Sequence, residues 1–322
     1  MSLEYASPYD GYSRTPLRVG LAVITGIVFL GEICSIVSML GDPHFAHVPG
    51  PLHLLPNHPA SAWFLFVCIA VGLASLALDR RSIVAAFWSL FWMSVTSYWQ
   101  RELFGSPSRN SFFPGVMVFG WLLGLIWARI VAGKDAEQPE GRVFRERLAE
   151  AGAMACIAAG YTSSGLSKLF AAGFDWINPH QIRWLILGQE PLANWSWLVA
   201  YRNYVVEHPQ AASFAAFMTI VVEGGGFFLI LGSRWRLLWT GMIWALHCNI
   251  ILLCLMPYFE PMALLLLFSV PWPRLCKKQG IEDPLVSKQP ELLHADIPDG
   301  MWILLTLIVV LSWILPIGWS AG

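Results

Sequence analysis

Runs of about 20 predominantly apolar residues recur along the chain, and nothing else limits its possible folds so strongly. They lie near 17–40, 61–79, 82–103, 113–133, 149–171, 210–232, 235–256, 257–272 and 300–319. A helix rises about 1.5 Å per residue, so each run of roughly 20 can cross a hydrocarbon core of roughly 30 Å. The expected fold is all-α, a polytopic transmembrane helical bundle of about nine spans. The eighth run is short and starts beside Pro257 and Pro261, so a full span and a re-entrant segment both fit it. Composition points the same way: 56% of the 322 residues are hydrophobic and 13% charged, against about 25% charged in soluble domains. That leaves too little polar surface to clothe a soluble fold of this length. The 17 tryptophans suit the membrane–water boundary. A formal net charge of −1 provides no basic footprint for nucleic acid; the expected partner is membrane lipid.

Basic residues set the expected orientation. With a cytoplasmic N-terminus, inner segments hold most of the 20 Lys and Arg, including Arg14, Arg18, Arg80, Arg81, Arg142 and Arg145. Arg101, Arg109, Lys168, Arg183 and Arg202 fall on the outer side or at helix ends. This gives a multi-pass cell-membrane protein with its C-terminus outside. Residues 1–275 form the bundle, 276–299 a cytoplasmic linker and 300–322 a C-terminal transmembrane helix. The first run, Leu17 to about Leu40, is longer than a signal-peptide core and lacks a convincing small-residue cleavage site, so it should remain as a span. The outer loop at 41–60 carries five prolines, and regular helix is not expected there. The inner loop at 134–148 is charged and reads as simply solvated. The outer segment at 174–209 mixes Trp176, Trp184, Trp195, Trp197, Tyr201 and Tyr204 with polar residues. It reads as one or two amphipathic helices lying in the interface and lidding the bundle. Gly120-x-x-x-Gly124 permits close helix approach, a common pattern of low specificity.

Ionisable residues inside spanning runs are costly and so become functional candidates. Lys168, Glu223 and His247 stand out. Lys168 lies 21 residues after Arg147, a rise of about 32 Å that carries its amine to the outer boundary. Tyr161, Ser164 and Gly165 share its helix face. A snorkelling lysine explains it; so does a desolvated amine serving as a base, which would need its pKa lowered by roughly 3 units. Glu223 precedes Gly224-Gly225-Gly226, and with His247 it should sit near mid-bilayer, the two within hydrogen-bond reach. A structural pair and a working pair fit equally. Asn249 points to a different helix face from His247. His44, His47, His53 and His58 crowd the first outer loop, but their spacing matches no metal motif and none is expected to bind metal. Five of the six cysteines lie in apolar runs without Cys-x-x-Cys spacing and read as buried small apolar residues.

The run Gly160–Leu169, followed by Phe174-Asp175-Trp176, resembles a stretch of the vitamin K-dependent γ-carboxylase superfamily, whose bacterial members are HTTM-domain membrane proteins. The resemblance resumes at Glu223-Gly224-Gly225-Gly226, at His247-Cys248-Asn249 and at Pro271-Trp272-Pro273. It implies a reduced, vitamin K-like quinone as cofactor and Lys168 as the base that deprotonates it. Oxygen then turns the quinol into a stronger base that takes a proton from a substrate glutamate, to which carbon dioxide adds. His247 resembles a second important residue; Tyr161, Ser164, Glu223, Asn249, Asp175 and Trp176 would support the two. Near Arg109-Asn110-Ser111 the chain has serine where that family's enzyme has another histidine. Glutamate carboxylation is therefore a weaker expectation than a quinol- or lipid-linked enzyme acting on a peptide or small substrate at the outer face. The alternative is a non-catalytic maturation factor or scaffold for a secreted peptide. A transporter would call for internal repeats, and none is visible.

Overall fold

The computed structural model describes residues 7–9, 12–40, 55–104, 112–133, 139–256, 258–270 and 272–275. Their regular structure is entirely helical: α1 (Thr15–Met39), α2 (Pro59–Ala77), α3 (Ser82–Phe104), α4 (Phe112–Ala132), α5 (Pro139–Ala172), α6 (Pro179–Leu187), α7 (Ser196–Glu207), α8 (Pro209–Gly224), α9 (Ser233–Cys254), α10 (Phe259–Ser269) and α11 (Trp272–Leu275). Short 3₁₀ segments follow α5 at Gly173–Ile177 and α8 at Gly225–Ile230. The His44, His47 and His53 expectations lie outside the described residues, as do Arg109–Ser111, the linker at 276–299 and the last helix at 300–322.

Among the described residues, five helices are long and apolar enough to cross a membrane: α1, α2, α4, α9, and α8 taken with its 3₁₀ continuation. Their exposed faces are as apolar as their buried ones. Val23 and Ile27 on α1, Phe64, Val67 and Val71 on α2, and Ile130 on α4 are all more than half exposed. A helix that is apolar all round belongs in a hydrophobic solvent, and these faces mark a membrane protein. The helices α3 and α5 have the length, with 23 and 34 residues, but more polar sequences. By contrast, α10 covers only 11 residues, about 16 Å of rise, half of what a span needs.

Two compact units divide the chain. The first contains Ser7–Cys156 and the second Ile157–Ser269, so α5 contributes to both. In the first unit, α4 lies against the early half of α5. A Cβ at Gly120 would fall on the backbone of Gly152 and Ala153, and one at Gly124 on the backbone of Leu148 and Ala149. The small residues thus let the two helices touch main chain to main chain.

The start of α5 corrects one expectation. Residues 139–148 belong to a helix, and their charges are not simply solvated. Glu146 ion-pairs with Arg18, and Glu150 with Arg14 at 2.7 Å. Ser7 donates its hydroxyl to the Glu150 carboxylate at 2.6 Å. All five side chains are buried. Asp79, in the α2–α3 turn, takes Arg145 at 2.6 Å and lies 3.5 Å from Arg18. A carboxylate removed from water must find such partners or lose its charge.

The cysteines also depart from expectation. Cys156 and Cys254 are buried, but Cys34 and Cys248 are exposed and Cys68 is half-buried. On an apolar helix surface an exposed thiol is as well placed as any small apolar group.

Candidate functional site

The second unit collects the sequence-derived candidates, and close packing of α5 on α8 explains how. A Cβ at Gly165 would strike the backbone of Gly224 and Glu223. One at Gly226 would strike Tyr161 Cβ at 2.6 Å and the Ala158 carbonyl at 2.8 Å. Glycine on both helices lets their axes approach, which brings α5 side chains within reach of Glu223 near the end of α8. The α-helix then gives way to 3₁₀ geometry at Gly225, whose Cα faces the Trp239 ring. Trp239 donates its indole N–H to the Val222 carbonyl at 2.8 Å and locks this break.

Lys168 forms an ion pair with Glu223. Its Nζ also donates to Ser164 Oγ at 3.0 Å, and Ser164 donates to Glu223 Oε2 at 3.0 Å. The three groups close a triangle in which the carboxylate accepts from both partners. Lys168 is 18% exposed and Glu223 11%, so water competes little and the charges gain strength from each other. Trp176, from the 3₁₀ segment after α5, lies with its ring centroid 5.6 Å from Nζ. An aromatic from the 174–209 segment therefore does cover the amine, as the sequence suggested.

His247 makes a different partnership. Its Nε2 is 2.7 Å from the Tyr161 hydroxyl, and the Tyr258 ring lies 5.0 Å away between centroids. Glu223 and His247, expected within hydrogen-bond reach directly or through water, make no direct hydrogen bond: Glu223 Oε2 accepts from Lys168 and Ser164, and His247 Nε2 meets Tyr161. Both residues are nonetheless buried. Nδ1 of His247 and the indole nitrogen of Trp176 are buried without a hydrogen-bond partner among the described residues. Tyr161 and Lys168 are seven residues apart on one helix, two turns on the same face. The carboxylate–amine triangle and the Tyr161–His247 pair are thus successive layers along α5.

Two proposed supporting residues stand elsewhere. Asn249 accepts from the Tyr201 hydroxyl at 2.7 Å, which fixes α7 on α9. Burial pushes the Tyr201 phenol above its usual range and keeps it a donor. Asp175 is exposed beside Trp176. Sequence reasoning missed Tyr258, which lies at the start of the short eighth apolar run between Pro257 and Phe259, and the role of Arg202. That buried guanidinium donates to the carbonyls of Ile186 and Leu253, each at 2.7 Å, and to those of Gln189 and Glu190. It ties the end of α6, the following loop and the end of α9 together. The 174–209 segment thus contains two helices, α6 and α7, with Trp184, Leu187, Trp195 and Trp197 exposed. His58 caps α2, its Nδ1 accepting from the Ala60 amide at 3.1 Å.

No family model, curated protein or solved structure matches this chain.

Proposed function

We propose that this chain is a membrane enzyme resembling the vitamin K-dependent γ-carboxylases, with Lys168 as its base and a reduced quinone as cofactor. The observation that carries the reading is a lysine withdrawn from water, under an aromatic ring, with a carboxylate bonded to it. On this reading Glu223, hydrogen-bonded to Nζ, is the group placed to take the proton when Lys168 acts as base. Ser164 keeps Nζ aligned with Glu223 through that exchange. The Tyr161–His247 pair, two turns along α5, supplies a second proton-transfer unit.

The donor set suits a flat aromatic ligand with oxygens at its edges. Trp176 offers an unpartnered N–H, His247 an unpartnered ring nitrogen, and the Tyr258 ring an apolar wall. Lys168, Trp176 and His247 are the residues that would hold the cofactor. When bound, a reduced quinone with oxygen supplies a base stronger than any side chain. The substrate would be a peptide or small molecule at the outer face. The bundle is read as about nine spans in the cell membrane, N-terminus inside and C-terminus outside.

The second reading, a non-catalytic maturation factor or scaffold, is favoured by the same ion pair, since a fully paired lysine can be purely structural. Lys168→Arg separates the two. Arginine keeps the charge and the pairing to Glu223 but provides no free base. The enzyme reading expects quinone in lipid extracts of the purified wild type, detected by mass spectrometry, and loss of biological function in a folded Lys168→Arg protein. Full function in that variant would sink it.

A further inference from the structure

We infer that the first unit carries a binding site for one anionic phospholipid, in the groove between α2 and α3 with its phosphate held by Arg80 and Arg81. It rests on the membrane reading of the helices but not on the chemistry at Lys168. The groove measures about 480 Å³ and is lined by Val71, Gly72, Val84, Ala85 and Trp88, with Arg80 and Arg81 at the turn. That size falls within the roughly 300–1,000 Å³ of small-molecule sites.

Its floor exists because Gly72 lacks a side chain. A Cβ there would meet Trp88 Cδ1 at 2.9 Å and the Ser89 amide at 3.1 Å. Trp88 is held in place by its indole N–H, which donates to the Cys68 carbonyl at 2.9 Å. Val71 and Val84 are 57% and 61% exposed, so the walls are apolar and open, fit for an acyl chain rather than a polar solute. Six residues carry α2 from Val71 to its end at Ala77, about 9 Å of helix rise, and the turn holding Arg80 follows, so part of an acyl chain can lie along the groove below a headgroup at the turn.

Charge at the mouth identifies the headgroup. Five arginines lie in this region, and three of them, Arg18, Arg142 and Arg145, pair with Asp79 or Glu146. Arg80 and Arg81 are exposed and have no ion pair among the described residues. The turn that carries them is tied by hydrogen bonds. Ser82 donates to Asp79, Arg80 N donates to the Ser75 carbonyl at 2.9 Å, and Asp79 is fixed by Arg145. Its carboxylate is thus consumed by other arginines and cannot neutralise these two. A pair of unneutralised guanidiniums at the end of an apolar groove fits a phosphate esterified to acyl chains. Free phosphate would use the arginines and leave the groove idle.

The test uses the full chain in nanodiscs containing equal phosphatidylglycerol and phosphatidylcholine, followed by delipidation and native mass spectrometry of the lipid retained. Wild type should retain phosphatidylglycerol in preference. Each basic residue near anionic lipid adds about 1 kcal/mol, so R80Q/R81Q should reduce that preference on the order of 30-fold, about 2 kcal/mol at tenfold per 1.4 kcal/mol. Val84→Trp, at an exposed position, should fill the groove and reduce retention with both arginines present. Excess inorganic phosphate should displace little. Equal retention of the two lipids by wild type overturns the site, as does unchanged retention in R80Q/R81Q. Unaltered binding in Val84→Trp, or full displacement by phosphate, would show that only the arginines matter and refute the lipid assignment.

Discussion

Replacing Glu223 should be more harmful than replacing Glu223 and Lys168 together. In Glu223→Gln the Lys168 ammonium keeps Ser164 but loses its counter-charge, at a site where only 18% of the lysine side chain meets solvent. Breaking a fully buried pair by removing one partner costs about 3–5 kcal/mol. Partial exposure brings the expected loss nearer 2–3 kcal/mol, because some water can reach the stranded amine. The double variant Glu223→Gln, Lys168→Met removes the charge and keeps an unbranched apolar stem under Trp176, so most of that loss should be recovered. In a protein of this length about 1 kcal/mol corresponds to roughly 2–4 °C in Tm, and the single variant should melt on the order of 5–10 °C below the double. Thermal unfolding in detergent, followed by the accessibility of the buried Cys156, gives the comparison. A double variant that melts at or below the single one would show that the pair contributes no coupling and that the triangle is not what holds α5 to α8.

Three further outcomes follow from other parts of the structure. Gly124→Val should destabilise by at least about 1–3 kcal/mol, since its side chain meets the Leu148 backbone, whereas Gly115→Ala, with nothing within 4 Å, should be neutral or slightly stabilising in the same melt. Arg202→Gln should expose the 188–195 loop to protease, because four carbonyls lose a charged donor worth about 1.5–3 kcal/mol per bond at most; unchanged digestion would show that α6 and α7 are held otherwise. A reporter fused after Gly322 should be exported and one fused after Gly133 cytoplasmic, and the reverse pattern would overturn the proposed orientation.

The helices were readable because apolar runs and their lengths are local properties. So were the helices of the 174–209 segment, α6 and α7, and the glycine pair at 120 and 124, whose i, i+4 spacing places both on one face. Pairing was harder. Glu223 and His247 sit on consecutive helices, and neighbouring helices invite the guess that their polar groups meet. What decides the outcome is the close approach of α5 to α8 at Gly165 and Gly224, a contact between elements far apart in sequence. It hands Glu223 to Lys168 and leaves His247 to Tyr161. The charged start of α5 was misread for a related reason. Arg14 and Arg18 are four residues apart, as are Glu146 and Glu150, a matched spacing that one-dimensional charge density hides. Arg202 gave no signal, since a guanidinium serving backbone carbonyls needs no acidic partner in the sequence.

These pairings bear on what the lysine can do. A base in a membrane protein faces two opposing demands: it must be protected from water, and it must have somewhere to send its proton. Burial alone meets the first and leaves an amine that is neutral but isolated. A carboxylate alone meets the second and, in water, would hold the amine charged. In this chain the two are combined, with Glu223 and Ser164 at hydrogen-bond range of Nζ and Trp176 over it. Water is largely kept from the pair, so whatever enters beside Trp176 sets the surroundings in which the two groups interact. On the enzyme reading proposed above, an apolar ring entering beside Trp176 would contact Nζ and compete with Glu223 for it. Such competition distinguishes a working pair from a structural one: a structural pair would leave the reactivity of Lys168 toward an amine-selective reagent unchanged when an apolar quinone is added.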